Sequence, residues 1–278
     1  LDNVKKTKLL LKSNNLLFGT IDTFLIWKLT KGKVHATDAT NASRTMIYNI
    51  SSNKWDDSIL KLFKINKNIL PKVKDCSDNF GYTHPSITGK SIPITGVVGD
   101  QQAATIGQCC FEPGSLKSTY GTGAFVLLNT GNKIIYSKNR LLTTIGYRLN
   151  GKTTYALEGS VFIAGAVVQW LRDQLNIIEN AAEIENLAGL VENSGGVTFI
   201  SALSGLGAPY WNPDATGAIM GITRGTNKAH IARAALEAIA LRSREIIVEM
   251  EKDSGTKFNN LNVDGGASNN NLLMQIQS

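Results

Sequence analysis

The sequence predicts an α/β fold in two domains that face a cleft. Strand-like segments, a glycine-containing loop and helical segments follow one another in this order, and the order occurs twice along the chain. The 278 residues, of which 42% are hydrophobic, suffice for two cores. The change to β character near residue 114 sets the boundary. We therefore expect one domain over residues 1–110 and a second over 114–278.

In the first half, residues 22–29 predict a short amphipathic helix whose apolar residues are Phe24, Ile26 and Trp27. Residues 37–45 are small and polar, a composition typical of a surface or a cleft. A strand-like segment at 46–49 and a helix at 55–63 follow. Residues 92–98 read as a strand that runs into Asp100, which would put this carboxylate at a strand's carboxyl end.

In the second half, residues 115–119 and 124–129 predict a hairpin around a turn at 120–123. A second hairpin, 142–149 with 153–157, is indicated by Asn150-Gly151, a strong turn signal. Helical periodicity covers 161–175, 181–191 and 230–251. A short strand at 262–264 then leads through Gly265-Gly266-Ala267 to a last helix from about residue 269.

Composition and charge exclude several classes of function. The net charge is +7, but the lysines are scattered and no basic stripe with interleaved aromatics is present, so we expect no nucleic-acid partner. No apolar run approaches the length of a membrane span. The three cysteines lack CxxC spacing and the three histidines are dispersed, which predicts reduced thiols in the cytoplasm and no metal or triad spacing.

Asp100 is the first candidate for chemistry. About twenty residues after it comes a turn with glycines at 121 and 123, and a carboxylate near a phosphate-sized loop suggests phosphoryl transfer. The alternative is that Asp100 caps a helix over residues 101–106, since Asp is common at helix starts. The two roles are compatible, and the residues alone leave both open.

Three further sets of residues fit a nucleotide. Gly121 and Gly123 leave the backbone and hydroxyl of Thr122 accessible to a phosphate, although an ordinary glycine hairpin has the same sequence. Gly165 and Gln169 share one helix face, where a base could rest; a helix–helix contact at Gly165 is the alternative. Between the last strand and helix, Gly266 and Asn270 stand where α/β domains contact nucleotides.

Two segments remain ambiguous. Residues 204–213 are rich in turn formers and aromatic residues, which fits a lid or a packed surface loop. Arg224 could approach a phosphate or be an ordinary surface arginine.

These motifs together resemble the FGGY carbohydrate kinases. The resemblance covers nearly the whole chain in order and rests on TDATNASRT at 37–45, GDQQAA at 99–104, TYGTG at 119–123, QWLRD at 169–173, GLGAPYW at 205–211, VDGGA at 263–267 and a signature over 217–237. It implies two ribonuclease-H-like (actin-like ATPase) domains flanking a cleft, with the first only partly present. It also implies ATP and glycerol as substrates in glycerol catabolism, with Mg²⁺ bridging the phosphates.

The resemblance assigns a role to each site residue. Asp100 would be the general base for the glycerol hydroxyl, with Gln101 holding the polyol and Phe125 packing on its carbon face. The residues implied for the nucleotide are Thr122, Gly165, Gln169, Gly266 and Asn270.

The family's first phosphate loop and an Arg-Glu pair that grips glycerol have no counterpart here, so we expect a piece of something longer. A nucleotide-binding remnant without catalysis, and a kinase for another polyol or a pentulose, stay open as alternatives. A homo-oligomer also stays open, because these residues do not indicate the oligomeric state.

Overall fold

The computed structural model describes residues 4–13 and 15–278, and the chain divides into two compact units. The first unit runs to Ala103 and takes in Thr144–Tyr155; the second comprises Ala104–Thr143 and Ala156–Ser278. The tip of one hairpin therefore groups with the first unit. The domain limits 1–110 and 114–278 stay a prediction.

Short elements make up the first unit. Its helices are α1 (Lys5–Lys12), α2 (Ile21–Leu29), α3 (Ala39–Ser43), α4 (Asp57–Leu62), α5 (Pro85–Thr88) and the start of α6 (Asp100–Gly107), with a 3₁₀ turn at Lys67–Ile69. Its strands are β1 (Ala36–Asp38), β2 (Tyr48–Asn49), β3 (Lys54–Trp55) and β4 (Lys72–Lys74). Strands β1 and β4 pair in parallel, whereas β2 and β3 form an antiparallel pair.

Helix α2 confirms the predicted helix but not its predicted apolar face. Only Ile26 of the three apolar residues is buried, and it packs in a small cluster with Ala36 and Phe80. Phe24 is 52% exposed and Trp27 37% exposed. The apolar side chains of this helix point in all directions around its axis, so the periodicity of its sequence could not identify the face that packs.

The polar stretch 37–45 was expected at a surface or cleft, and for its first four residues this is wrong. Thr37, Asp38 and Thr40 are all buried. Their burial is possible because the Asp38 carboxylate caps α3 by accepting from the amides of Thr40 and Asn41 at 2.9 and 3.0 Å. The buried residues of this stretch thus belong to the hydrogen-bonded interior of the first unit.

The strand expected over 92–98 is also wrong as a regular element. The segment is extended, but it pairs with residues 77–82 only through isolated bridges at Pro93 and Gly96. Pro93 has no N–H to donate, which interrupts a regular ladder. Backbone hydrogen bonds from Ile94 to Gly81 (2.8 Å) and from Val97 to Cys76 (2.9 Å) still fix the approach to Asp100.

Longer elements make up the second unit. Its strands are β5 (Leu116–Tyr120), β6 (Ala124–Gly131), β7 (Leu142–Leu149), β8 (Lys152–Val161), β9 (Thr198–Ile200), β10 (Ala218–Met220) and β11 (Asn262–Asp264). Its helices are α7 (Gly165–Asp173), α8 (Glu183–Ala188), α9 (Lys228–Ser254) and α10 (Asn271–Gln277), preceded by a 3₁₀ turn at Gly266–Asn269.

A five-stranded sheet in the order β11-β5-β6-β8-β7 carries the second unit. Strands β5 and β6 are antiparallel, with Tyr120 opposite Ala124, and β11 joins β5 in parallel. Both predicted hairpins are confirmed. Asn150 and Gly151 have φ of +51° and +73°, the left-handed pair that a tight two-residue turn requires.

The predicted helices of this unit exist but begin or end differently. Residues 161–164 belong to β8 and its exit, so α7 starts at Gly165, and α8 is shorter than the predicted 181–191. Helix α9 is longer than predicted; it starts with a capping box between Asn227 and His230 and ends at Gly255, where φ is +70°. Ala234, Leu236 and Ile239 of this helix are buried in the main core against the sheet.

Within residues 4–13 and 15–278, no helix has both the length and the apolar character needed to cross a bilayer.

Candidate functional site

A cavity of about 620 Å³ in the second unit collects all five residues expected to contact a nucleotide. These lining residues are Thr122, Gly165, Gln169, Gly266 and Asn270. They come from the β5–β6 turn, helix α7 and the segment after β11, which are separated in sequence. The volume lies within the range of small-molecule pockets.

The β5–β6 turn is joined to the start of α7 by three backbone hydrogen bonds. The amide of Gly165 donates to the carbonyl of Gly121 at 2.9 Å, and those of Ala164 and Ala166 donate to the carbonyl of Thr122 at 2.9 and 3.0 Å. The amides at the start of α7 are therefore occupied by the protein itself. Helix α7 contributes to the cavity with its side, not with free N–H groups.

The glycine at 165 is explained by this junction. A Cβ built at Gly165 would lie 2.6 Å from the carbonyl oxygen of Gly121, too close for any other residue without movement of the turn. The alternative of a helix–helix contact at Gly165 is wrong, because the close neighbour is the turn. Gly123 is restricted in the same way, since its Cβ would lie 2.5 Å from the carbonyl of Val161.

The two glycines after β11 differ in what surrounds them. Gly265 has φ of +89°, and its Cβ would lie 2.3 Å from the carbonyl of Tyr120, so this glycine lets β11 and β5 approach. Nothing lies within 4 Å of a Cβ built at Gly266. Gly266 therefore borders open space in the cavity.

Three of the residues expected to contact a nucleotide bring polar side chains to the cavity. The hydroxyl of Thr122 and the amide of Gln169 have no hydrogen-bond partner among the residues that the structure describes. Asn270 caps α10 with Oδ1, which accepts from the amide of Leu273 at 2.8 Å. The Nδ2 atom of Asn270 has no partner in the same described part of the chain, so both of its N–H groups are available as donors.

Asp100 lies in the first unit and is exposed. Helix α6 begins at Asp100 itself, and the first helical hydrogen bond runs from Ala103 to the carbonyl of Gly99 at 2.7 Å. The Asp100 carboxylate accepts only from the amide of Gln101, at 2.8 Å, whereas an N-cap accepts from the second or third amide of the helix. The capping alternative therefore does not describe this side chain, and Oδ2 has no partner within 4–13 and 15–278.

Gln101 and Phe125 do not line the cavity. Gln101 is half-buried on α6 in the first unit. Phe125 is half-buried on β6 in the second unit, opposite Thr119, on the sheet face away from Ala124 and Val126.

The loop at 204–213 is packed against the second unit. The Arg242 guanidinium lies 4.9 Å from the ring centre of Tyr210, donates to the carbonyl of Ala208 at 3.0 Å and pairs with Glu245. The indole of Trp211 donates to the carbonyl of Arg140 at 2.7 Å. These contacts favour the packed loop over the lid. Arg224 is exposed and does not line the cavity.

Sequence reasoning missed the contribution of α8 and its approach segment. The cavity is also lined by Ala181, Ala182, Ile184 and Glu185, and Glu185 is the only charged residue that does so in the described part of the chain. The helix was predicted, but no motif marks these residues, and only the tertiary fold brings them beside Asn270.

No group of three or more His, Cys, Asp or Glu side chains suited to a metal ion occurs among the described residues.

Known proteins match this chain over its whole length. Residues 2–107 match the family described as "FGGY family of carbohydrate kinases, N-terminal domain", and residues 116–278 match its C-terminal domain. The chain is 56% identical over 279 residues to a glycerol kinase of Clostridium beijerinckii and 57% identical over 278 residues to glycerol kinase 2 of Thermotoga maritima. All of this chain is covered in both cases, but only 56% of each relative.

Solved structures give the same result. A crystal structure of Plasmodium falciparum glycerol kinase with ADP superposes with a TM-score of 0.91 at 42% identity, over 100% of this chain and 56% of that one. A ligand-bound xylulose kinase from Lactobacillus acidophilus has a TM-score of 0.79 at 24% identity, over 92% and 52%, and shares the fold. The chain spans a little over half the length of these proteins.

Proposed function

The chain belongs to the FGGY family of carbohydrate kinases, and on that premise we propose that it is part of a glycerol kinase. The reaction is transfer of the γ-phosphoryl group of ATP to a terminal hydroxyl of glycerol, giving sn-glycerol 3-phosphate. One observation carries the proposal: Thr122, Gly165, Gln169, Gly266 and Asn270 line a single cavity of about 620 Å³. The relative of known structure at 42% identity contains ADP, which supports a nucleotide as the occupant.

In this proposal the cavity holds ATP. The free hydroxyl of Thr122, at a turn with little steric cover, contacts the phosphates. The open space beside Gly266 admits the nucleotide close to the backbone. Gln169 and the Nδ2 group of Asn270 supply hydrogen bonds to the base or sugar, because both have atoms without a partner among the described residues.

Asp100 is proposed as the general base. Its Oδ1 accepts from the amide of Gln101, which leaves Oδ2 to accept the proton of the glycerol hydroxyl. As that proton moves to Oδ2, the hydroxyl oxygen forms a bond to the γ-phosphorus, and the bond between this phosphorus and the β–γ bridging oxygen breaks. ADP leaves with that oxygen.

The remaining assignments follow from family membership. Gln101 is proposed to hold the polyol and Phe125 to pack on its carbon face, with residues 1–110 as the polyol-binding part and 114–278 as the nucleotide-binding part. Mg²⁺ is proposed to accompany the phosphates, as in phosphoryl transfer generally. The proposal also includes a cytoplasmic location and a homo-oligomer.

The test is ATP-dependent phosphorylation of glycerol by the protein in the longest form that its gene encodes. We expect turnover in the parent and a loss of about 10²- to 10⁴-fold in kcat for Asp100→Asn, because the amide cannot accept the proton. Asp57→Asn is the matched control, since the Asp57 carboxylate is exposed and pairs with Lys67 on the surface. Equal activity in the Asp100 variant and the control would contradict the proposed base.

Two other outcomes separate the alternatives. Adenine nucleotide binding without phosphorylation of any polyol would favour a non-catalytic remnant. Faster turnover of a pentulose than of glycerol in a substrate panel would replace glycerol as the acceptor.

A further inference from the structure

Among the side chains that the structure describes, Glu185 is the only charged one that lines the cavity, and its charge has the same sign as that of a nucleotide. A carboxylate repels phosphate groups, so a cavity built for a polyanion is expected to exclude it unless the carboxylate faces another part of the ligand. No step of the proposed phosphoryl transfer uses Glu185. Its presence therefore calls for a contact with a neutral hydrogen-bond donor.

The carboxylate is held in place by α10. Oε1 accepts from the amide of Leu272 at 3.2 Å, in the first turn of that helix. Oε2 has no partner among the residues of 4–13 and 15–278, and the side chain is half-buried. One oxygen thus fixes the carboxylate, and the other is left as an acceptor at the cavity.

Asn270 is arranged in the same way. Its Oδ1 accepts from the amide of Leu273, the residue after Leu272. Two consecutive amides of α10 therefore hold the two side chains next to each other. Asn270 offers the donor Nδ2, and Glu185 offers the acceptor Oε2.

The chemistry of a nucleotide decides which group suits this acceptor. Adenine presents one amine flanked by the lone pairs of two ring nitrogens, which a carboxylate repels. Ribose presents two neighbouring hydroxyls that both donate, and a carboxylate on ribose hydroxyls is the arrangement used in dinucleotide-binding folds. In a nucleotide the sugar also lies between the base and the phosphates. This middle position matches that of Glu185, which accepts a hydrogen bond from Leu272 in the segment after Gly266 and Asn270.

We propose that Glu185 binds the ribose hydroxyls of the nucleotide and makes the site selective for ribonucleotides over deoxyribonucleotides. This inference rests on the proposed function, because it requires an adenine nucleotide in this cavity. Glu185 acts as a specificity-determining residue and takes no part in the transfer of the phosphoryl group.

The test is calorimetric titration of the whole encoded protein with ADP, 2′-deoxyADP, 3′-deoxyADP and IDP. We expect the parent to bind ADP about tenfold more tightly than at least one deoxy analogue, since a hydrogen bond to a charged group is lost. Glu185→Gln keeps an oxygen for the Leu272 amide but removes the charge. This variant should bind ADP about tenfold more weakly than the parent and bind the deoxy analogue within about twofold of the parent's affinity. The preference for ADP over the deoxy analogue should therefore disappear.

Glu183→Gln is the matched control, because Glu183 lies on the same helix, contacts Asn180 and the amide of Glu179, and does not line the cavity. It should keep the parent preference. Glu185→Ala, with its fold checked by thermal unfolding, should lose the preference as Glu185→Gln does.

Two results would overturn the inference while leaving the nucleotide site intact. One is an unchanged ribose preference in both Glu185 variants. The other is a loss of discrimination between ADP and IDP, which lacks the 6-amine, with the ribose preference retained; Glu185 would then contact the base. Failure of the parent to bind any adenine nucleotide would instead contradict the proposed function and the inference with it.

Discussion

The hydroxyl of Thr40 accepts a hydrogen bond of 2.8 Å from the amide of Gly99, the residue immediately before Asp100. The same hydroxyl donates to Oδ2 of the buried Asp38 at 2.7 Å. The backbone that carries the proposed base is therefore tied, through one threonine, to an internal carboxylate of the first unit. This relationship gives the polar stretch 37–45 a structural role.

Thr40→Val should destabilise the first unit by about 2 kcal/mol, because the Gly99 amide loses its acceptor and Asp38 loses a donor. Thr40→Ser keeps both hydrogen bonds and loses only a methyl group, at a cost of about 1 kcal/mol. Urea unfolding followed by circular dichroism measures the difference. A valine variant as stable as the serine variant would show that the hydroxyl does not matter.

Asp38→Asn should cost about 3 kcal/mol of unfolding free energy. The carboxylate accepts from two groups of Thr40, two groups of Asn41 and the thiol of Cys76, and an amide would turn an N–H toward some of these donors. Asp57→Asn, at an exposed ion pair, should stay within about 0.5 kcal/mol of the parent. Comparable losses in the two variants in the same urea titration would refute the assigned role of Asp38.

Gly165→Ala and Gly266→Ala should separate fold from ligand binding. The first change puts a Cβ 2.6 Å from the Gly121 carbonyl and should lower the melting temperature together with nucleotide affinity. The second meets nothing within 4 Å, so the melting temperature should stay near that of the parent while ADP affinity falls. Thermal unfolding with and without ADP distinguishes the two, and a Gly266 variant with unchanged ADP affinity would remove Gly266 from the site.

Thiol labelling of the folded protein at about pH 8 should modify Cys109 first, because it is exposed and the thiolate is the reactive form. Burial, together with the nearby Asp38 charge, raises the pKa of Cys76 to about 12, and burial also raises the pKa of Cys110. Both should react only after unfolding. Cys109→Ser should abolish the fast phase in a time course with a chromogenic disulfide; a fast phase that persists would point to an open path to a buried thiol.

The pKa of Cys76 also predicts a dependence of stability on pH. The folded state keeps the thiol proton up to a pKa of about 12, whereas the unfolded chain releases it near the ordinary value of 9.0. The free energy of unfolding should therefore fall as pH rises from about 9 to about 12. The Cys76→Ala variant should show a shallower fall over this range, and identical slopes would contradict the raised pKa.

Local signals predicted the elements that local chemistry determines. The left-handed pair Asn150-Gly151 specified its hairpin, and the glycines of the β5–β6 turn marked one wall of the cavity.

Tertiary packing determined the features that the sequence did not predict. The apolar face of α2 could not be read from a helix that is apolar all round, and Pro93 broke a strand whose composition was otherwise strand-like. Glu185 reaches the cavity only because α8 and α10 are neighbours, a contact across 87 residues that no periodicity records.

The three hydrogen bonds between the Gly121-Thr122 turn and the first amides of α7 have one further consequence. They join the backbone of Thr122 and the start of the helix that carries Gln169 in one frame before any ligand is present. The conformational entropy of placing these two backbone segments is then lost during folding of the chain, not during binding. A ligand that contacts both meets a preorganised backbone, and only the side chains of Thr122 and Gln169 have to be ordered when it binds.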